Sequence, residues 1–165
     1  ELLSALNNKK VDAIVILLVI IMSLGMYSGK IGNSFVSKKN YPVEATEWIL
    51  QNLDVKNMKL FNEYNYGSYL LYKGVPVFID SRADLYAPEF NGKRAENGEY
   101  DGRDIFTDFI KTSSMERYYE DTFEKYDITH IILKKKSKLN TFISNDSGFL
   151  EMYNDDNFVV YERCK

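Results

Sequence analysis

The stretch VDAIVILLVIIMSLGMYSG, residues 11–29, carries a single charge, Asp12, and is wholly apolar from Ala13 to Met22. As a helix, a stretch of that length spans about 28 Å, close to the hydrocarbon thickness of a bilayer. Three readings fit such a run. A signal peptide wants a small-residue cleavage site, which Ser23-Leu24-Gly25 matches only loosely. A buried core helix that is apolar on every face needs a larger protein around it. A transmembrane helix needs neither, and it is the reading carried forward. Lys9, Lys10 and Lys30 flank the run on both sides, so charge does not set its orientation.

That run divides the chain. Residues 1–10 form a polar flank ending in two lysines, and residues 30–40, KIGNSFVSKKN, read as a basic juxtamembrane linker. Residues 41–165 are long enough for one domain with a real core. The first residue is Glu, so the chain is expected to be a fragment or a processed product of a protein longer at its N-terminus. Of 21 Lys and Arg and 24 Asp and Glu, five and two lie in residues 1–39. The remainder, residues 40–165, therefore holds 16 basic and 22 acidic side chains, a net of −6. A domain that acidic is a poor partner for nucleic acid, where phosphate neutralisation needs clustered Lys and Arg. KKKSK at 134–138 is the one basic patch, and it reads as a solvated strand end. The lone Cys164 excludes an intrachain disulfide, and the lone His130 excludes a histidine cluster.

Along the domain, strand and helix signals alternate. YPVEATEWILQNL opens a helix, with Pro42 suited to its first position and Glu44 and Glu47 near its positive end. Strands are predicted at Met58–Asn62, Val75–Asp80 and Ile128–Leu133. A final pair, Phe149–Tyr153 and Phe158–Glu162, flanks the turn Asn154–Asn157. Helices are predicted at Tyr66–Tyr72, Asp104–Lys111, from the Ser113/Ser114 cap to Tyr126, and at Ser137–Ser144, with a long surface loop over 87–103. The expected fold is α/β, a mixed and mostly parallel sheet of about five strands with flanking helices. An antiparallel hairpin closes it, and one transmembrane helix precedes it.

The first two strands each run into a polar cluster, and open α/β sheets bind ligands at such an edge. Glu63, Asn65, Tyr66, Asp80, Arg82 and Asp84 are accordingly the candidate ligand-binding residues. In one reading Arg82 anchors an anion and Glu63 pairs with Asp80 for acid–base work. In the other, Arg82 bridges Glu63 and Asp80 as a structural ion pair. Tyr64, Tyr66, Tyr69 and Tyr72 read either as a stacking platform for sugars or as ordinary packing. There is no P-loop, no GxGxxG, no GxSxG and no histidine for a triad. Arg82 stands where a DxD metal motif needs its second acid, so no catalytic residue, metal or cofactor is expected.

At these residues the chain resembles the C-terminal extracytoplasmic domain of bacterial polytopic membrane proteins that are glycosyltransferase-like and use polyprenyl-phosphate sugars. The matching phrases are YPVEATEWI, FNEYNYGSYLL, VFIDSRADLY, KYDITHIIL and FLEMYNDDNFVVYER, over about residues 41–163. Tyr66 stands where such proteins usually carry Trp, and Ser81 where they usually carry Gly. The resemblance implies that residues 11–29 are the last transmembrane helix of a polytopic protein in the cell membrane, with 41–165 outside the cytoplasm. It also implies a catalytic acid upstream, and an accessory domain that helps hold a glycan acceptor or polyprenyl-phosphate sugar. The alternative is a membrane-tethered binding or interaction module unrelated to sugar transfer. A third reading makes the domain a stand-alone hydrolase using Glu63 and Asp80.

Overall fold

The computed structural model describes residues 9–28 and 36–164, and the chain divides into two compact units between Phe35 and Val36. Residues 1–8 of the polar flank, residue 29 at the end of the apolar run, residues 30–35 of the linker and residue 165 lie outside the described residues. The first unit holds one helix, α1 (Lys9–Ser28). Among the described residues it is the one helix long and apolar enough to cross a membrane. Its apolar side chains are exposed, Leu18 at 54%. That suits lipid and not water.

The second unit is a sheet with helices on both faces. Its elements are α2 (Val43–Asn52), β1 (Leu60–Asn62), α3 (Tyr64–Tyr72), a 3-10 turn (Ala83–Tyr86) and α4 (Pro88–Asn91). They continue with α5 (Ile105–Ser113), α6 (Tyr119–Lys125), β2 (His130–Lys134), α7 (Lys138–Ile143), β3 (Phe149–Asn154) and β4 (Phe158–Arg163). The strand order is β1-β2-β4-β3. β1 runs parallel to β2, with Phe61 opposite Ile131, and the other two pairings are antiparallel. Alternation along the strands sends residues to two cores. Phe61, Ile131, Leu133, Val159 and Tyr161 pack with Phe109 of α5, Phe123 of α6 and Leu139 of α7. Leu60, Ile132, Phe158 and Val160 pack with Ala45 and Ile49 of α2 and Tyr66 and Leu70 of α3.

The sheet therefore has four strands, not five, and it is mixed, with one parallel pair, not mostly parallel. The expected strand Val75–Asp80 is an extended arm outside the sheet. Pro76 has no N–H to give a ladder, and the Asn62 side chain takes the place of a strand neighbour. Its Oδ1 accepts from Phe78 N at 2.8 Å, and its Nδ2 donates to Ile79 O at 2.8 Å. The helix expected from Ser113/Ser114 to Tyr126 begins only at Tyr119. Met115 adopts φ +63°, which ends α5 and turns the chain before α6 can start. In the expected loop 87–103, α4 opens the segment and Arg94 bridges Tyr100. Asn91 ties its ends, donating to Arg103 O and accepting from Arg103 N, both at 2.7 Å.

Candidate functional site

The corner between β1 and the arm is built by close backbone approach. β1 ends at Asn62, Glu63 is extended (φ −77°, ψ 149°), and α3 starts at Tyr64. One turn into α3, a Cβ on Gly67 would lie 2.0 Å from Ile79 O and 2.9 Å from Asp80 Cα, so only glycine lets the arm cross here. α3 closes with a Schellman turn: Gly74, at φ +85°, donates to Leu71 O, and Val75 N donates to Leu70 O, each at 3.0 Å. That turn reverses the chain and returns the arm past Gly67.

The arm ends in a clamp. Asp80 is fully buried and accepts from Arg82 N at 2.8 Å, from Arg82 Nε at 3.0 Å and from Arg82 Nη2 at 2.5 Å. The Arg82 hydrogen bonds hold the Asp80 carboxyl below the usual carboxylate range, against the upward push of burial. Burial next to that carboxylate raises the Tyr86 hydroxyl. Ser81 is fastened from α3, through Ser68 Oγ at 2.7 Å from its hydroxyl and Tyr64 Oη donating to its carbonyl at 3.1 Å. These bonds fix the arm against the helix.

Glu63 faces elsewhere. Its Oε1 accepts from Lys134 N at 3.3 Å, at the end of β2. Burial raises its carboxyl above the usual range, and Lys134 and Ser137 oppose that only in part. The expected bridge of Arg82 between Glu63 and Asp80 is thus not formed: Arg82 binds Asp80, and Glu63 turns to β2. Asn65 is exposed beside Glu63. Tyr66 is fully buried, donates to Ile132 O at 2.8 Å and stacks edge-on to Phe158 at 5.4 Å. Asp84 is exposed on the 3-10 turn. The remaining tyrosines do not share a surface: Tyr64 packs on Phe106, Tyr69 on Tyr41, and Tyr72 is 84% exposed.

Two of the six candidates, Glu63 and Asn65, line a cavity of about 430 Å³. Its other polar groups are Tyr64 of α3, Ser113 from the end of α5 and Ser137 from the turn after β2. Phe106, Phe109, Leu133 and Leu139 supply the apolar wall. The Ser113 hydroxyl oxygen is buried and has no hydrogen-bond partner among the described residues. A polar group left that way is costly, and a ligand hydroxyl or a water that reaches it on rotation of the side chain relieves the cost. A half-buried carboxylate on an aromatic and aliphatic wall suits a neutral, hydroxyl-bearing ligand with an apolar face. The cavity lies at the carboxyl ends of the parallel pair β1 and β2, the general ligand edge of α/β sheets.

Ser113, Phe106 and Ser137 were not among the candidate site residues; the two serines were read only as helix starts. The signal for Ser137 was available: it follows β2 as Glu63 follows β1, and pairing β1 with β2 puts the two together. A larger, open recess of about 600 Å³ lies across the domain, beside Arg163. Its charges are largely satisfied within it, since Arg163 pairs with Glu120 and Glu124, and Tyr119 donates to Asp146. Among the described residues, no three His, Cys, Asp or Glu side chains gather as a metal site.

No protein-family model and no curated protein matches the chain. Among solved structures it is similar to the C-terminal globular domain of oligosaccharyltransferase from Archaeoglobus fulgidus, with a TM-score of 0.49 and 13% identity. The match covers 73% of this chain and 95% of that one. A likeness of that size assigns no chemistry to this chain.

Proposed function

We propose that residues 41–165 are the extracytoplasmic accessory domain of a membrane glycosyltransferase-like protein, with residues 11–29 as its anchor in the cell membrane. In this reading the domain holds a glycan acceptor or a polyprenyl-phosphate sugar, and the chemistry belongs to an upstream part of the protein. The observation that carries it is the cavity behind Glu63 and Asn65, a carboxylate over a Phe106–Phe109 wall, on a chain that also bears an exposed apolar helix. Carboxylates accept sugar hydroxyls, and ring faces cover the apolar faces of sugars. Asp80, Arg82 and Tyr66 serve this site indirectly, by fixing the arm and α3. Asp84, exposed on the 3-10 turn, is left as a contact for the rest of the protein. The sequence phrases shared with the glycosyltransferase-like family supply the sugar-transfer context.

Sidedness has a direct test, because Cys164 is exposed and is the single cysteine of the chain. A membrane-impermeant maleimide added to sealed cells labels Cys164 before lysis if the domain is outside. Labelling only after permeabilisation overturns the placement. Titration of the protein in detergent with polyprenyl phosphate and with sugar phosphates then reads the site by chemical shifts at Glu63, Asn65 and Ser113. Shifts confined to other surfaces favour the rival reading, a tethered module unrelated to sugar transfer.

A further inference from the structure

The KKKSK patch, a bare strand end in the sequence, acquires a partner in the fold. Lys134, Lys135 and Lys136 at the end of β2 share a recess of about 160 Å³ with Lys39 and Asn40, which lie almost a hundred residues earlier. Asn157 completes it, and Asp156 is the one acid among the lining residues, so four cations face one anion. Both lysine-bearing segments are fixed turns. Asn40 N and Tyr41 N each donate to Ser37 O at 2.9 Å. Lys135 N donates to Asn157 O at 2.9 Å, and Asn140 Nδ2 donates to Lys135 O at 3.0 Å. Neighbouring Lys38 is spent on Glu44 at 2.5 Å. Lys39, Lys135 and Lys136 form no ion pair among the described residues.

We propose that this recess binds the phosphate of an anionic phospholipid headgroup, so that the domain docks against the bilayer by this face. The lysines supply a point-charge cradle for a phosphate, and the recess is too small for an oligosaccharide. A bilayer source is favoured over a soluble phosphate by the tether: Lys39 is eleven residues beyond Ser28, the end of α1, a reach of at most about 40 Å. Without Lys134, Lys135 and Lys136, residues 40–165 hold 13 basic and 22 acidic side chains, a net of −9. An anionic surface is therefore repelled by the domain's net charge and attracted at this lysine face. The proposal rests on the membrane reading of α1 and is independent of sugar transfer.

The test is hydrogen exchange on the full chain in nanodiscs, either phosphatidylcholine alone or with about a third phosphatidylglycerol. Exchange at residues 38–40 and 134–137 is expected to slow several-fold in the anionic discs. The slowing should vanish in high salt and in a Lys39→Gln, Lys135→Gln, Lys136→Gln variant whose exchange elsewhere is unchanged. Equal exchange in both discs, with the chain inserted, overturns the docking and leaves the anchor standing. Slowing by inorganic phosphate in neutral discs, with none from phosphatidylglycerol, overturns the bilayer source. Failure of the chain to enter discs at all overturns anchor and docking together.

Discussion

Glu63 is a carboxylate that the fold holds under strain of solvation. Burial raises its pKa, and its compensation is a 3.3 Å bond from Lys134 N with Ser137 nearby. For an acid whose folded pKa lies above its unfolded value of about 4.3, the stabilising contribution is complete at lower pH. It is lost as pH rises through the folded value. Above that value the charged form of Glu63 costs the domain stability relative to a neutral side chain. Glu63→Gln is expected to raise the thermal midpoint at pH 7 by a few degrees (about 2–4 °C per kcal/mol in a domain of this size) and to leave it unchanged near pH 4. It should also abolish any binding of hydroxyl-bearing ligands in the cavity. Equal midpoints at both pH values, measured by calorimetry, would show that Glu63 is well solvated. Asp80 runs the other way: its pKa is lowered by Arg82, so its contribution is present above the unfolded pKa and lost as pH falls. One corner thus holds two carboxylates of opposite acid response, and only the destabilising one lines the cavity.

At the scale of elements, the decisive contact is α3 against the arm. A methyl group on Gly67 meets backbone, Ile79 O at 2.0 Å and Asp80 Cα at 2.9 Å, and backbone cannot rotate away as a side chain does. Gly67→Ala is expected to destabilise the domain by about 1–3 kcal/mol, the usual range for overpacking, or by more if Asn62 loses its hold on Phe78 and Ile79. Urea denaturation reads this directly, and a midpoint equal to that of the unsubstituted chain would mean that the arm is not seated on α3. β1, β2, the closing hairpin and most of the helices around them were legible in the sequence. The fate of Val75–Asp80 was not. Its apolar residues read as a strand, and nothing local says that a side-chain amide at position 62 replaces the ladder. Nor does local sequence say that Met115 turns left-handed and delays α6 to Tyr119. The site followed the same logic. Placing the arm beside β1 put Glu63 next to Asp80, whereas the true parallel neighbour is β2, which puts Glu63 next to Ser137 and under Ser113.

At the scale of the whole molecule, the chain joins two solubility regimes. The domain buries its apolar residues in two cores on either face of the sheet, while α1 leaves its own exposed. That division was legible, because a run apolar on every face announces itself by composition. Strand order was not, because it depends on pairings made across seventy residues, from Phe61 to Ile131. The lysine recess shares that dependence. The membrane role of α1 is open to a substitution that leaves the domain untouched. Leu18 lies at the middle of Lys9–Ser28, where an arginine costs about 2.5–3.5 kcal/mol in insertion, on a helix already carrying Asp12. Leu18→Arg is expected to move much of the 165-residue chain from the carbonate-resistant membrane pellet to the supernatant. The near-UV circular dichroism of its aromatic core should stay the same, since Phe61, Tyr66 and Phe123 lie in the other unit. If the variant stays in the pellet with its spectrum intact, α1 is not the anchor. If both fractions and spectrum change, the helix supports the domain by packing instead of by insertion.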